Sequence, residues 1–197
     1  MSKILATFAR ALSLRVGGRG GWPWRREHVS GNIPLTTHFY DEFDRGSGFK
    51  VEAEGHNLIT DGMRTLLAAL LANQQGYVGV QYWAVGDGGP NIDLLAPSAP
   101  LPTDTSLARE VARVPVTVSF VDDFGKLTAG GALSKHVQIQ ATFDRGVATG
   151  NNVEFGLFGG NASASVAGGG LLLNHVTHPV KVKNTGDIRR LTIIIDF

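Results

Sequence analysis

The 197-residue chain contains no cysteine, so disulfide frameworks, thiolate metal sites and cysteine nucleophiles are all excluded. The absence fits synthesis in a reducing cytoplasm. Charged residues are scarce at 18%, and Lys+Arg of 18 against Asp+Glu of 17 leave no global field to draw the molecule to nucleic acid or to a membrane. No run approaches the roughly 20 apolar residues of a membrane-spanning helix. Arg10 and Arg15 interrupt the apolar N-terminal stretch and no clean cleavage site follows it, so no secretion signal is expected. What the chain has in quantity is glycine, 26 residues, beside 43% apolar residues: a globular composition with many turns, which favours β structure.

Charge is unevenly placed. Lys3, Arg10, Arg15, Arg19, Arg25 and Arg26 precede residue 30, where Glu27 is the one acid. Ile4, Leu5, Phe8, Leu12 and Val16 recur at spacings of three and four, as on one stripe of a short amphipathic helix. Gly17 to Gly21 and Pro23 cannot continue that helix, because glycine costs backbone entropy and proline lacks the amide hydrogen. Residues 1–37 therefore read as a basic arm, with residues 38–197 as the domain. Trp22 and Trp24 are large apolar rings that need a surface to lie on. Phe8, Arg10, Leu12, Arg15, Trp22, Trp24, Arg25 and Arg26 are the candidate partner-docking residues, with a protein neighbour favoured over nucleic acid.

Within the domain, His38 to Phe43 and Phe49 to Ala53 flank a turn-prone segment as a hairpin would. Asp61 is placed to cap a helix whose Met63, Leu66, Leu67, Leu70 and Leu71 follow the i, i+3, i+4, i+7, i+8 pattern. Val78 to Val85 reads as a buried strand running into the glycine-rich turn Gly86 to Pro90 and then a long irregular loop, Asn91 to Ser106. Further strands are expected at Glu110 to Phe120, Leu133 to Phe143, Val153 to Phe158, Gly170 to Val176 and Arg190 to Phe197. The last is aliphatic enough to be buried on both faces or to pair with a neighbouring subunit. Strands against one helix, without strand–helix alternation, predict a mainly β fold: an antiparallel, jelly-roll-like sandwich with one packed helix.

Motifs for chemistry are weak. Gly86-Asp87-Gly88-Gly89-Pro90 lacks the Gly-Lys-Ser/Thr ending and the following helix of a phosphate loop. Asp87, Asp93, Asp104, Asp122 and Asp123 match no EF-hand spacing and read as turn formers. His175 and His178 would face opposite sides of a strand, which favours structural histidines over a metal pair. Glu52 and Glu54 read as solvent-facing alternates, and no Gly-x-Ser-x-Gly elbow occurs. Neither catalysis, a metal nor a cofactor is expected.

Four segments in order carry a resemblance: Gly55-His56-Asn57-Leu58-Ile59-Thr60-Asp61-Gly62, then Val80 to Gly88, then Thr103-Asp104-Thr105-Ser106-Leu107-Ala108-Arg109-Glu110-Val111, then Val153-Glu154-Phe155-Gly156-Leu157-Phe158. Together with the final aliphatic strand they resemble a group of small structural proteins of tailed-bacteriophage virions, over about residues 50 to 197. The resemblance implies a virion component of tail, fibre or head-accessory type, without known catalytic residues or cofactor. The expectation is an accessory subunit, a capsid decoration or a tail, collar or baseplate component. It would be made in the host cytoplasm, form a homo-oligomer and dock on other virion proteins through its arm. The alternative is a carbohydrate- or receptor-binding tail-fibre module whose loop from Gly86 to Pro102 uses Trp83, Asp87 and Asp93.

Overall fold

Side-chain alternation along the strands gives each sheet an apolar inner face. The computed structural model describes residues 35–162 and 166–197. The strands are β1 (Thr36–Asp44), β2 (Phe49–Gly55), β3 (Leu58–Ile59), β4 (Val78–Gly86) and β5 (Glu110–Pro115). They continue with β6 (Thr117–Val121), β7 (His136–Phe143), β8 (Gly150–Gly160), β9 (Leu171–Lys183) and β10 (Ile188–Asp196), and the one α-helix, α1, spans Asp61–Leu71. Two five-stranded sheets form, in the orders β2-β1-β10-β7-β6 and β3-β9-β8-β4-β5, and every pairing is antiparallel. The protein is thus mainly β, a two-sheet sandwich with one packed helix.

The core lies between the sheets. Phe39, Ile139, Phe143, Leu191 and Ile193 from the first sheet meet Trp83, Val85, Phe155, Leu157 and Leu173 from the second, and Met63 and Leu66 of α1 join them. Phe39 and Phe155 pack edge to face with centroids 5.2 Å apart. Each such side chain contributes about 1.5–3 kcal/mol by leaving water.

The hairpin falls where the alternation puts it, and Asp44 builds its turn by accepting the Gly46 and Gly48 N–H groups at 2.8 and 2.9 Å. The C-terminal strand β10 lies in the middle of its sheet, between β1 and β7, which accounts for its aliphatic density. Three expectations are corrected. Thr60, not Asp61, is the N-cap residue of α1, and its hydroxyl donates to the Leu172 carbonyl rather than to the helix; Asp61 sits in the first turn, 2.6 Å from Arg64. The run from Glu110 to Phe120 is two strands, because Pro115 offers no N–H to a ladder and the chain crosses there from one sheet to the other. Strand β9 runs on past Pro179 to Lys183, the proline being taken up where its pairing with β8 slips register.

At Gly62 the start of α1 passes so close to β9 that a Cβ would collide with the Leu172 carbonyl oxygen. Gly79 on β4 has open space around it. Gly62→Ala is expected to destabilise by about 2 kcal/mol through this overpacking, and Gly79→Ala to leave the denaturation midpoint nearly unchanged. Paired urea titrations check both.

Candidate functional site

The segments that carry the resemblance meet around β8 and β9 of the second sheet. Glu154 is buried there, and its carboxylate accepts the N–H groups of Ala108 and Arg109, each at 3.0 Å. His175 bridges it to the loop, with Nε2 3.1 Å from Glu154 Oε2 and Nδ1 2.8 Å from Asp104 Oδ2. Burial pushes the imidazole pKa down, but the two carboxylates outweigh it and raise it, so the doubly protonated ring that donates at both nitrogens is the form that fits. Burial likewise pushes Glu154 up, and the His175 ring and the two amides bring it below its usual value. Asp87 pairs with Arg109 through two hydrogen bonds, and that guanidinium holds its pKa low. Leu107 is pressed with Ala84, Phe158, Ala162 and Leu172 into a second, smaller apolar cluster. The segment after β4 therefore closes over the sheet as a lid held by Glu154.

Of the three residues of the loop-binding reading, Trp83 is fully buried in the core between the sheets, where no surface ligand reaches it. Asp87 is engaged by Arg109, and Asp93 accepts the N–H groups of Leu95 and Ala96 as a turn former does. Asp122 does the same for Phe124 and Lys126. The docking residues Phe8, Arg10, Leu12, Arg15, Trp22, Trp24, Arg25 and Arg26 lie outside the described residues. His175 and His178 belong to separate clusters, and among the described residues no group of three or more His, Asp or Glu is placed to hold a metal ion.

The second cluster is a buried ion network between the sheets. Arg189 donates to both Asp41 carboxylate oxygens at 2.8 and 2.9 Å and to Asn152 Oδ1 at 3.1 Å. Lys181 Nζ lies 3.1 Å from Asp41, and the guanidinium stacks over Phe43 and Phe155. His178 donates from Nδ1 to the Pro179 carbonyl at 2.8 Å and turns Nε2 toward Arg189 at 3.3 Å. Burial first, and then the Arg189 charge, push its pKa down to about 4, so it is neutral here.

Two surface features were invisible to sequence reasoning. One is an apolar groove of about 340 Å³ between α1 and the strands β4, β6, β7 and β10, with Leu70, Val118 and Phe197 at its exposed rim. The other is a shallow trough on the outer face of the β2-β1-β10-β7-β6 sheet, made of two adjoining hollows of about 320 and 280 Å³ that share Tyr40, Phe124, Gly125 and Ile194. Its floor is a row set by register: Tyr40 opposite Thr192, and Thr192 opposite Gln140. Gln140 Nε2 donates to Thr192 Oγ1 at 3.0 Å, while the Tyr40 hydroxyl and the Gln138 amide make no side-chain hydrogen bond among the described residues. Glu42 at its edge is held by a two-pronged bond from Arg190, both arms 2.7 Å. His136 closes the far end between Asp196 at 2.5 Å and Asp123 at 2.7 Å, which raise its pKa in that order.

No known protein family, curated protein or solved structure matches the chain.

Two outcomes follow from the buried groups. Glu154→Ala leaves two amides without their acceptor, which should cost about 3 kcal/mol and release residues 87–109 first; hydrogen exchange should rise there before it rises in β8. For His178, the unfolded chain takes up a proton near pH 6.5 and the folded one only near 4, so between those values unfolding binds a proton and stability falls as pH falls. That amounts to about 3 kcal/mol. Urea titrations at pH 7 and pH 4.5 should show the loss, and His178→Gln should flatten it. His175 acts with the opposite sign: its contribution is complete below the ordinary histidine value and fades as pH rises through the raised one.

Proposed function

We propose that this protein is a non-catalytic structural subunit of a tailed-bacteriophage virion, an accessory protein that docks on neighbouring virion proteins through its N-terminal arm. The observation that carries the reading is how the resembling segments are used. Their polar residues, Thr60, Asp87, Asp104, Arg109 and Glu154, are taken up in bonds to one another and to β9, which fasten a lid and build a scaffold. Groups that act on a substrate need free donors, acceptors or nucleophiles facing a cleft, whereas Thr60 and Glu154 are buried and the more exposed Asp87 and Arg109 are paired with each other.

The surface supports assembly. Val118 stands half-exposed on β6, an edge strand whose outer side pairs with no strand among the described residues. Unpaired backbone beside an open apolar groove is what a neighbouring subunit covers when it adds to a sheet edge. A second copy meeting this edge fits the homo-oligomer expected of a virion accessory protein. The arm, with its basic residues and two tryptophans, then supplies the contact to a capsid or tail protein, since aromatic and arginine anchors dominate such interfaces.

Deleting residues 1–35 should leave a folded domain with an unchanged β-type circular dichroism spectrum but abolish incorporation into particles. Purified particles from a phage carrying the truncated gene check it, and normal copy number of the truncated protein would sink the reading.

A further inference from the structure

We propose that the trough on the outer face of the β2-β1-β10-β7-β6 sheet is a binding site for a neutral oligosaccharide, seated between the Phe124 ring and the Tyr40–Gln138 floor.

Phe124 is 94% exposed at the tip of the turn after β6. A single exposed ring is ordinary on a protein surface. This one stands on an internally bonded turn and borders both hollows. Asp122 Oδ1 accepts the N–H groups of Phe124 and Lys126 at 2.9 and 3.0 Å, and the Gly125 N–H donates to the Asp122 carbonyl at 2.9 Å. Gly125 takes φ +74°, a left-handed conformation open to glycine, and lies against the Ile194 side chain, so the turn folds onto the sheet face. The ring is thereby presented beside the trough by a short, internally bonded turn, which lowers the ordering cost of using it.

The floor supplies the other half of sugar chemistry. A hydroxyl of a pyranose both donates and accepts, and Tyr40, Gln138 and Gln140 each offer a donor and an acceptor. Tyr40 stands on β1 and Gln138 and Gln140 on β7, the two strands that flank β10, and all three lie on one face, so their spacing is set by the sheet rather than by loop conformation. The apolar C–H face of a sugar stacks on an aromatic ring while its edge hydroxyls reach polar groups, and this trough places the two elements side by side.

Charge narrows the ligand class. Glu42, Asp122, Asp123 and Asp196 line the two hollows with His38 and His136, and among the described residues no lysine or arginine does. Arg190 already pairs with Glu42, and His136 with Asp123 and Asp196, so no unpaired cation is left among them to hold a phosphate, sulfate or sialylated ligand. For a protein segment the apolar groove by α1, with Leu70, Val118 and Phe197 at its rim, is the better surface. Two adjoining hollows make room for more than one sugar unit. The site is separate from the loop of Gly86 to Pro102 and stands independently of the virion reading.

The test uses the full chain on an array of neutral, sialylated and sulfated oligosaccharides, followed by calorimetric titration of the strongest neutral hit against the wild type, Phe124→Ala, Gln138→Ala and Asp93→Ala. The expected result is saturable binding of a neutral glycan, weakened about tenfold or more in the first two variants and unchanged in Asp93→Ala, with equal melting temperatures throughout. Silence towards every neutral glycan, binding of acidic glycans alone, or binding that survives both trough substitutions would each overturn it. Phe124→Ala should still enter particles at normal copy number, which separates failure of this site from failure of the structural role.

Discussion

Strand β8 is shut off from water on both faces, and most of the structure is arranged to achieve that. Phe155 and Leu157 point into the core between the sheets, while Glu154, Gly156 and Phe158 lie under the segment that follows β4. A strand in an antiparallel sandwich normally keeps one wet face. Here the wet face is traded for a lid, and a lid without secondary structure of its own must have its backbone groups satisfied individually. Glu154 does this at the centre by taking two amides at once. The Asp61 N–H to the Pro102 carbonyl, at 2.8 Å, and the Val180 N–H to the Leu94 carbonyl, at 2.7 Å, do it at the rims. Gly156 allows the closure, since a Cβ there would meet Leu107 of the lid and Leu172 beneath it.

The two buried charge clusters solve one electrostatic problem in different ways. An ionised carboxylate in a dry site is costly unless paired and hydrogen-bonded. Around Glu154 the compensation comes from backbone amides and a charged imidazole, so the site also fixes a loop. Around Asp41 it comes from Arg189 and Lys181, with a neutral His178 accepting a further guanidinium donor, so the site ties β1 to β10 within one sheet and, through Asn152 and Lys181, to β8 and β9 of the other. Removing one partner from either cluster strands the other, which makes both clusters strong determinants of register and poor candidates for exchange with solvent.

Much of this was legible in the sequence, for local reasons. The hairpin, α1 and β4 announce themselves by period, and the aspartates beside glycine are turn formers as their chemistry suggests. What failed were features settled at long range. Trp83 invites a binding role because it precedes a glycine turn, although its place in a buried strand and its shared parity with Val85 put it on the core face. Pro115 and Pro179 are both strand prolines, yet one marks a crossing between sheets and the other a tolerated register slip; only the pairing partner distinguishes them. Leu70 and Leu71 continue the helical pattern of Met63 and Leu66 without being buried, Leu70 reaching only the rim of the apolar groove and Leu71 standing 85% exposed.

The same distinction separates scaffold from surface. Residues that fasten the lid sit in compact segments of polar and glycine residues, so they register as motifs, and a motif invites a functional reading. The trough has no such signature: Tyr40, Phe124, Gln138 and Thr192 come from β1, a turn, β7 and β10, and only the order β1-β10-β7-β6 brings them onto one face. Each is unremarkable in its own segment, a polar alternate on a half-buried strand or an apolar residue in a turn. In a sandwich whose central motif carboxylate, Glu154, is buried and whose Asp87 and Arg109 are spent on each other, the chemistry open to a partner belongs to residues that the chain scatters and the sheet collects.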